Sequence, residues 1–344
     1  MTALRRAGTP AATYRPAWWL PGSHAQTVGA RLLRSRHGVD FRRERLELPD
    51  GDFLDLDWAD VAGAPPRTEP LPLVVVLHGL EGSARSTYAL ESYRALAREG
   101  VAAVGLNFRS CSGEPNRLPR LYHSGETGDL RFVLRVLRER FPRRLLGTLG
   151  FSLGGNVMLK YLGESPDALP AAAAAVSVPY DLAAGADYIE RGWSRAYRRY
   201  LVRKLQRKVA LKAAQLDGLV DLALLRRART FREFDDAGTA PLHGFTDADD
   251  YYRRSSSKAY LPAVAVPTLL VHALDDPFLP PHALPDAAIL DKSRWLSAAF
   301  VPHGGHVGFV AGPPYAPIFF AERQAARFLA DALGAAGPEP PSAG

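Results

Sequence analysis

The stretch LLGTLGFSLGGNVMLKY, residues Leu145–Tyr161, contains an apolar β-rich run, a serine between glycines and the start of a helical pattern. The run before the serine predicts a buried strand, and a helix is predicted to open at Gly155. The residues from Gly150 to Gly154 match G-x-S-x-G, in which the serine occupies a tight turn between strand and helix. Side chains at the two glycine positions would collide with neighbouring backbone. The stretch therefore predicts an α/β fold in which Ser152 projects above a sheet as a nucleophile.

Strands and helices alternate on both sides of this stretch. Further strands are predicted at Leu73–His78, Val101–Phe108, Ala173–Val178, Thr268–Ala273 and Ala298–Val301. Helical spacing is found at Tyr88–Glu99, Asp129–Phe141 and Glu322–Leu333. This alternation is typical of a mostly parallel central sheet with helices on both faces. Upstream, Phe41–Trp58 predicts a hairpin that turns at Pro49–Gly51 and pairs at the sheet edge.

A helical, charged block interrupts the alternation, and it predicts a lid at about 183–260, inserted between late strands. Within this block the segment Gly192–Lys212 is strongly basic. Apolar residues recur there every four positions, at Trp193, Tyr197, Leu201, Leu205 and Val209. Two interpretations stay open: a helix with a packed stripe and a solvated outer face, or a surface that makes weak contact with anionic lipid.

The remaining organisation is simple. We expect one domain, residues 1–334, followed by a disordered tail at 335–344, which is rich in proline. Residues 1–40 are predicted to form an N-terminal arm that packs onto the body through Trp18 and Trp19.

The composition limits the class of protein. The chain has 344 residues, 47% hydrophobic and 23% charged, which is ordinary for a globular protein. Its net charge of +7 gives little information about binding partners, and no nucleic-acid partner is expected. The single cysteine, Cys111, excludes an intramolecular disulfide. No apolar run approaches the roughly 20 residues of a membrane helix, and Met1–Leu20 lacks the apolar core of a secretory signal. We therefore expect a cytoplasmic protein.

A serine hydroxyl needs a base, and the base needs an orienting acid. In this type of fold the acid follows a late strand, and the histidine comes after it in the chain. The predicted strand Thr268–Ala273 runs into Asp275 and Asp276. We prefer Asp276, because it lies one step further into the loop and Pro277 constrains the turn just after it. Asp275 is the alternative.

The histidine is expected after the last strand, where Val301–Phe309 offers two. His306 lies deeper in a glycine-rich loop that can bend over the sheet edge, and it is the predicted base. His303 is nearer the strand end and is expected to be structural, although it stays the alternative. The other histidines show no H-x-H or H-E-x-x-H spacing, so a metal centre is not predicted. The triad chemistry needs no cofactor, and none is expected.

Two backbone N–H groups are predicted to bind the developing oxyanion. Leu153 lies at a helix start, where its N–H can face the negative charge. Leu80 follows the first core strand, and Gly79 allows close approach of the backbone there. His78 is then a structural histidine at the strand end.

The loop Arg109–Asn116 follows a strand at the same end of the sheet as Ser152. We interpret it as a turn that is tied down by polar contacts. A nucleophilic role for Cys111 is the less favoured alternative, because the sequence places no second histidine to serve it.

These motifs together resemble the YheT-like branch of the α/β-hydrolases, which also contains the eukaryotic ABHD1/ABHD2/ABHD3-type proteins. The resemblance extends from PAWWLPGSHAQT to HGGHVGF, and its most specific stretches are HGLEGSARSTY, FRSCSGEPNRLPRLYHSGET, GFSLGGNVMLKYLGE and ALDDPF. It implies an α/β-hydrolase fold and a nucleophile, acid and base at Ser152, Asp276 and His306. The family usually shows R-G-C-S-G-E where this chain has Ser110 in place of the glycine, which puts a tight glycine turn in question.

The resemblance implies hydrolysis of carboxylic esters, either short-chain or of the acylglycerol type, through an acyl-enzyme. One alternative is an acyltransferase that uses the same acyl-enzyme with an alcohol acceptor. Another is a non-catalytic, ligand-binding member of the fold. The partner expected in the first case is a small-molecule ester.

Overall fold

The computed structural model describes residues 14–64 and 71–335, and an eight-stranded sheet forms its centre. The strands are β1 (Val39–Glu47), β2 (Phe53–Val61), β3 (Leu73–Leu77), β4 (Ala102–Asn107), β5 (Leu146–Phe151), β6 (Ala172–Val176), β7 (Thr268–Ala273) and β8 (Leu296–Val301). Their order is β1-β2-β4-β3-β5-β6-β7-β8, and all neighbouring pairs from β4 to β8 are parallel. The mostly parallel sheet predicted from the sequence is therefore confirmed.

The hairpin predicted at the sheet edge is also confirmed. β1 and β2 pair antiparallel, and β2 pairs antiparallel with β4. The buried carboxylates of Asp55 and Asp57 each take two hydrogen bonds from an arginine across the hairpin, Arg45 and Arg43, at 2.8–2.9 Å. Such charge-assisted pairs help to hold the cross-strand register.

Helices cover both faces of the sheet. They are α1 (Gly22–Leu33), α2 (Thr87–Arg98), α3 (Gly128–Arg140), α4 (Leu153–Glu164), α5 (Leu182–Tyr188), α6 (Ser194–Leu211), α7 (Ala213–Leu216), α8 (Leu222–Arg227), α9 (Phe231–Phe234), α10 (Ala240–His243), α11 (Ala248–Ser255), α12 (Ala287–Lys292) and α13 (Phe320–Ala332). On β3, Leu73 and Val75 pack with α3 and α4, whereas Val74 and Val76 pack with α2 and α13. Alternate side chains of a strand point to opposite faces, so one strand supplies two core layers.

The helical block predicted between late strands lies between β6 and β7 and contains α5 to α11. A π-helix, Asp235–Thr239, and a 3₁₀ helix, Ser257–Ala263, complete it. Leu205 and Val209 of the predicted apolar stripe are buried in a separate cluster with side chains of α7 to α9. Trp193 was placed wrongly in that stripe, since it precedes α6 and is 82% exposed. Within the described ranges, no helix is long and apolar enough to cross a bilayer.

The N-terminal arm packs against the other end of the chain. Trp19 donates its indole N–H to the carbonyl of Gly312 at 2.9 Å, whereas Trp18 is exposed. Gly312 follows β9 (Val310–Ala311), which pairs antiparallel with β10 (Ile318–Phe319). The sequence did not predict α1 or this small hairpin. The first 13 residues of the arm and residues 336–344 of the predicted tail lie outside the described residues.

Candidate active site

Ser152 occupies the turn between β5 and α4, and its backbone is strained. Its φ of 50° and ψ of −119° are uncommon for a residue with a side chain. A Cβ at Gly150 would lie 2.6 Å from the Cα of Gly155, and one at Gly154 would lie 2.5 Å from the carbonyl oxygen of His78. The glycines therefore let the strand and helix approach closely enough to form the turn.

The imidazole of His306 connects Ser152 with Asp276. Its Nε2 lies 3.1 Å from the serine Oγ, and its Nδ1 lies 2.7 Å from Oδ2 of Asp276. With the proton on Nδ1, the ring donates to the carboxylate and accepts from the serine hydroxyl. The other carboxylate oxygen accepts the N–H of Phe278 at 2.8 Å, and the Phe278 ring stacks on the imidazole at 4.1 Å. The ring orientation is thus fixed from two sides.

Asp275 and His303 form a second pair beside the first. The Asp275 carboxylate accepts the N–H groups of Gly304 and Gly305, both at 2.9 Å, and lies 3.3 Å from Nδ1 of His303. His303 is largely exposed. These contacts stay within two loops, so Asp275 organises the histidine loop, whereas Asp276 contacts the imidazole that reaches Ser152.

Leu80 and Leu153 both lie next to Ser152. Leu153 is the first residue of α4, and Leu80 follows Gly79, where a Cβ would lie 3.2 Å from Cβ of Ser152. Among the described residues, no hydrogen bond takes up the N–H of Leu80 or Leu153. Two amides near the serine are thus available to an oxyanion.

His78 does not act on the serine hydroxyl, because both of its ring nitrogens are engaged elsewhere. Its Nε2 accepts the N–H of Phe108 at 3.2 Å, so Nδ1 carries the proton and donates to the carbonyl of Gly79 at 2.8 Å. Burial lowers its pKa to about 3. A neutral His78 therefore has the structural role expected from its place at the strand end.

Helix α1 braces the loop that carries His306. The hydroxyl of Thr27 accepts the backbone N–H of His306 at 2.9 Å. The side-chain oxygen of Gln26 accepts the N–H of Val310 at 2.7 Å, and Arg34 donates to the carbonyl of Val307 at 2.8 Å. None of these three residues was predicted from the sequence, although Gln26 and Thr27 lie in the stretch PGSHAQT, which carried part of the resemblance.

The loop Arg109–Asn116 is a turn tied by polar contacts, as expected. Ser110 adopts a φ of 61°, a conformation that favours glycine, and its Oγ accepts the N–H of Asn116 at 2.9 Å. The turn is thus formed with a serine at the position where the resemblance implied a glycine. Burial raises the pKa of the Cys111 thiol, and its Sγ accepts a hydrogen bond from Lys208 at 3.0 Å. Burial outweighs the opposite influence of Lys208, and a raised pKa disfavours the reactive thiolate, so the structure does not favour a nucleophilic cysteine.

A cavity of about 1020 Å³ opens beside Ser152 and His306. Residues from α1, from the loops of the sheet and from the helical insertion line it. Much of its wall is apolar and includes Leu121, Leu182, Ile189, Leu201, Phe234 and Leu279. In the part of the chain that the structure describes, no group of three or more His, Cys, Asp or Glu residues could hold a metal ion.

Known proteins are similar to this chain in sequence and in fold. The profile of the α/β hydrolase fold family matches residues 72–313. YheT of Escherichia coli (strain K12), provisionally named an esterase, is 40% identical over 327 residues, which cover 94% of this chain and 95% of YheT. The chain belongs to the α/β-hydrolase family. Phospholipase ABHD3 of Mus musculus is 30% identical over 305 residues, covering 87% of this α/β-hydrolase and 74% of that protein.

A solved structure of the Pyrococcus furiosus esterase Pf2001 superposes with a TM-score of 0.52. The superposed region covers 78% of this α/β-hydrolase and 84% of the esterase chain. The sequence identity is 15%, so the comparison shows the shared fold alone. The sequence relatives are of the esterase and lipase type. The chain belongs with them to the YheT-like branch of the α/β-hydrolases.

Proposed function

We propose that this α/β-hydrolase cleaves carboxylic esters through a covalent acyl-enzyme on Ser152. The observation that carries the proposal is the continuous hydrogen-bonded path from Ser152 Oγ through His306 to Asp276, at 3.1 and 2.7 Å. His306 takes the serine proton as the hydroxyl attacks the ester carbonyl. Asp276 holds the imidazole in the required tautomer and stabilises its charged form.

The N–H groups of Leu80 and Leu153 are proposed to bind the oxyanion of the tetrahedral intermediate. Collapse of the intermediate expels the alcohol, which takes the proton from His306. A water molecule then attacks the acyl-enzyme with His306 as the base, and the carboxylic acid leaves as Ser152 regains its proton. None of these reaction steps requires a cofactor.

The cavity supports a substrate larger than a simple acetate ester. A volume of about 1020 Å³ slightly exceeds the usual range of roughly 300–1,000 Å³ for small-molecule sites, and the apolar wall of the cavity can bury an acyl chain. Relatives named esterase and phospholipase are consistent with this choice. Among the two classes expected from the sequence, we therefore favour acylglycerol-type esters over short-chain esters.

The outer face of α6 supports the interpretation that anionic lipid is a weak partner. Arg195, Arg199 and Arg203 are exposed at intervals of four residues and thus form a row along the helix. Anionic vesicles should bind the enzyme less well after Arg199→Ser with Arg203→Ser, and less well in high salt. Vesicle sedimentation measures both effects, and binding that is insensitive to salt and to the two substitutions contradicts this part of the proposal.

A panel of p-nitrophenyl esters from acetate to palmitate, together with a monoacylglycerol, tests the activity. Wild-type enzyme should hydrolyse the longer esters, and Ser152→Ala should not. Equal hydrolysis by both proteins would overturn the proposal. The same reactions with added glycerol identify an acyltransferase, because transfer would yield new glycerol esters in place of free acid.

A further inference from the structure

The turn that carries Leu80 has an unusual backbone. It is closed by a hydrogen bond of 3.0 Å from the N–H of Gly82 to the carbonyl of Gly79. Glu81 occupies its third position with a φ of 55°, where glycine is the usual residue. A glutamate persists in such a conformation only when its surroundings hold it there.

The orientation of the Leu80 N–H follows from the contacts of this turn. The peptide unit is planar and trans, so fixing the carbonyl of Gly79 fixes the N–H of Leu80 on the opposite side. His78 donates to that carbonyl at 2.8 Å. The next peptide is held because Glu81 donates its N–H to the hydroxyl of Tyr122 at 2.7 Å.

Two lysines of α6 hold the same glutamate. Lys204 donates to the backbone carbonyl of Glu81 at 2.7 Å, and Lys208 forms an ion pair of 2.7 Å with its carboxylate. Both side chains of the ion pair are buried. Because the lysines are four residues apart, they lie on one face of α6. The helical insertion therefore binds both the backbone and the side chain of Glu81, the residue that follows Leu80.

We propose that Lys204 and Lys208 are positioning residues that hold the turn so that the Leu80 N–H faces the oxyanion. This inference rests on the proposed esterase function. It makes oxyanion binding depend on the docking of α6, so the helical insertion takes part in assembling the catalytic site.

Lys204→Met and Lys208→Met test the proposal, with Lys212→Met as the matched control. Lys212 is a buried lysine that follows the last residue of α6, and its ammonium group donates to Asn116 and Leu118 rather than to the turn. Loss of one oxyanion donor costs about 10²–10³ in kcat in other hydrolases. Partial misplacement in Lys208→Met should lower kcat by about 10-fold or more with KM nearly unchanged, and Lys204→Met should do the same to a smaller extent.

Two further measurements separate positioning from folding. Affinity for a trifluoromethyl ketone, which forms an oxyanion adduct with serine, should fall with kcat in both variants and hold in Lys212→Met. The ¹⁵N–¹H signal of the Leu80 amide should shift in Lys204→Met and Lys208→Met and stay in place in Lys212→Met. Tyr122→Phe removes the acceptor of the Glu81 N–H without a change in charge and should shift the same signal.

The outcomes are distinct. A rise in KM at constant kcat, or a Leu80 signal that stays in place in both lysine variants, overturns the positioning role. If wild-type enzyme hydrolyses no ester in the panel, the esterase function fails, and the Leu80 signal still decides whether the lysines position the turn.

Discussion

Two acid–histidine pairs lie side by side at the carboxyl end of the sheet, and only one of them reaches Ser152. Asp276 and His306 are both buried, at 1% and 8% exposure, and their imidazole lies 3.1 Å from the serine hydroxyl. Asp275 lies one position before Asp276 in the chain, and His303 lies three positions before His306. The side chain of His303 is 65% exposed, and its pair bonds only within two loops.

The difference shows that residue type does not decide the role. A hydrogen bond between ionisable groups is stronger where water is excluded, and a surface pair gains little. The first pair is shielded by the Phe278 ring and held by Thr27, whereas the second holds two glycine amides in place. One carboxylate is thus proposed for chemistry and its neighbour for loop geometry.

Removal of each histidine gives the largest contrast between the pairs. His306→Ala should lower kcat by about 10⁴-fold or more, because the serine then lacks its base. His303→Ala should change kcat less than about two-fold, since an exposed side-chain contact contributes little. Steady-state kinetics on the best p-nitrophenyl ester measures both. A large loss in His303→Ala would remove the distinction between the pairs.

Replacement of each aspartate by asparagine is the next contrast. Asp276→Asn should lower kcat by about 10³–10⁴-fold, because the amide favours the wrong imidazole tautomer. Asp275→Asn should cost about 10-fold or less, and it should lower the melting temperature because the glycine amides keep a weaker acceptor. The reversed order of kcat values would assign the orienting acid to Asp275.

Local patterns were sufficient for most of the fold and for the residues brought together at the site. The predicted strand Thr268–Ala273 has the observed bounds, and the turn at Ser152 lies between the strand and helix expected there. In these regions the hydrophobic period, the glycines and the chain order all indicate the same structure. The catalytic roles of Ser152, Asp276 and His306 are predictions that the substitutions test.

Other features depend on contacts between distant parts of the chain, which one sequence does not display. Gln26 of α1 accepts a hydrogen bond from Val310, and Arg34, just after the helix, donates one to Val307, so both bonds join residues about 280 positions apart. The exposure of Trp193 depends on where α6 begins, and the two lysines on Glu81 depend on how the insertion docks. Local period could place these side chains on a helix but not against their partners.

The bond from Thr27 to His306 distinguishes the buried pair from the exposed one and predicts a moderate effect. Thr27→Val keeps the shape but leaves the N–H of His306 without its acceptor, so kcat should fall about 10-fold or less. Thr27→Ser keeps the hydroxyl and is the matched control. Kinetics with equal losses in both variants would show that packing, rather than this hydrogen bond, holds the loop.

Acid sensitivity of folding gives the smallest expected effect and extends the contrast to other buried histidines. Burial lowers the pKa of His78 to about 3, of His243 and His272 to about 4, and of His123 well below its usual value. Below pH 6.5 the unfolded chain binds protons that the folded protein does not. Stability should therefore fall with pH, by about 1 kcal/mol per histidine between pH 6.5 and 5.5.

Nε2 of His272 lies 4.0 Å from Oδ2 of Asp276, and His272 is buried like the Asp276–His306 pair. His272→Gln should make the acid-dependent loss of stability about 1 kcal/mol smaller over that interval, because one protonating group is removed from the unfolded chain. His303→Gln replaces an exposed histidine and is the control. Urea unfolding at pH 6.5 and 5.5 measures both variants, and an equal acid dependence in the two would show that burial of His272 does not keep it neutral.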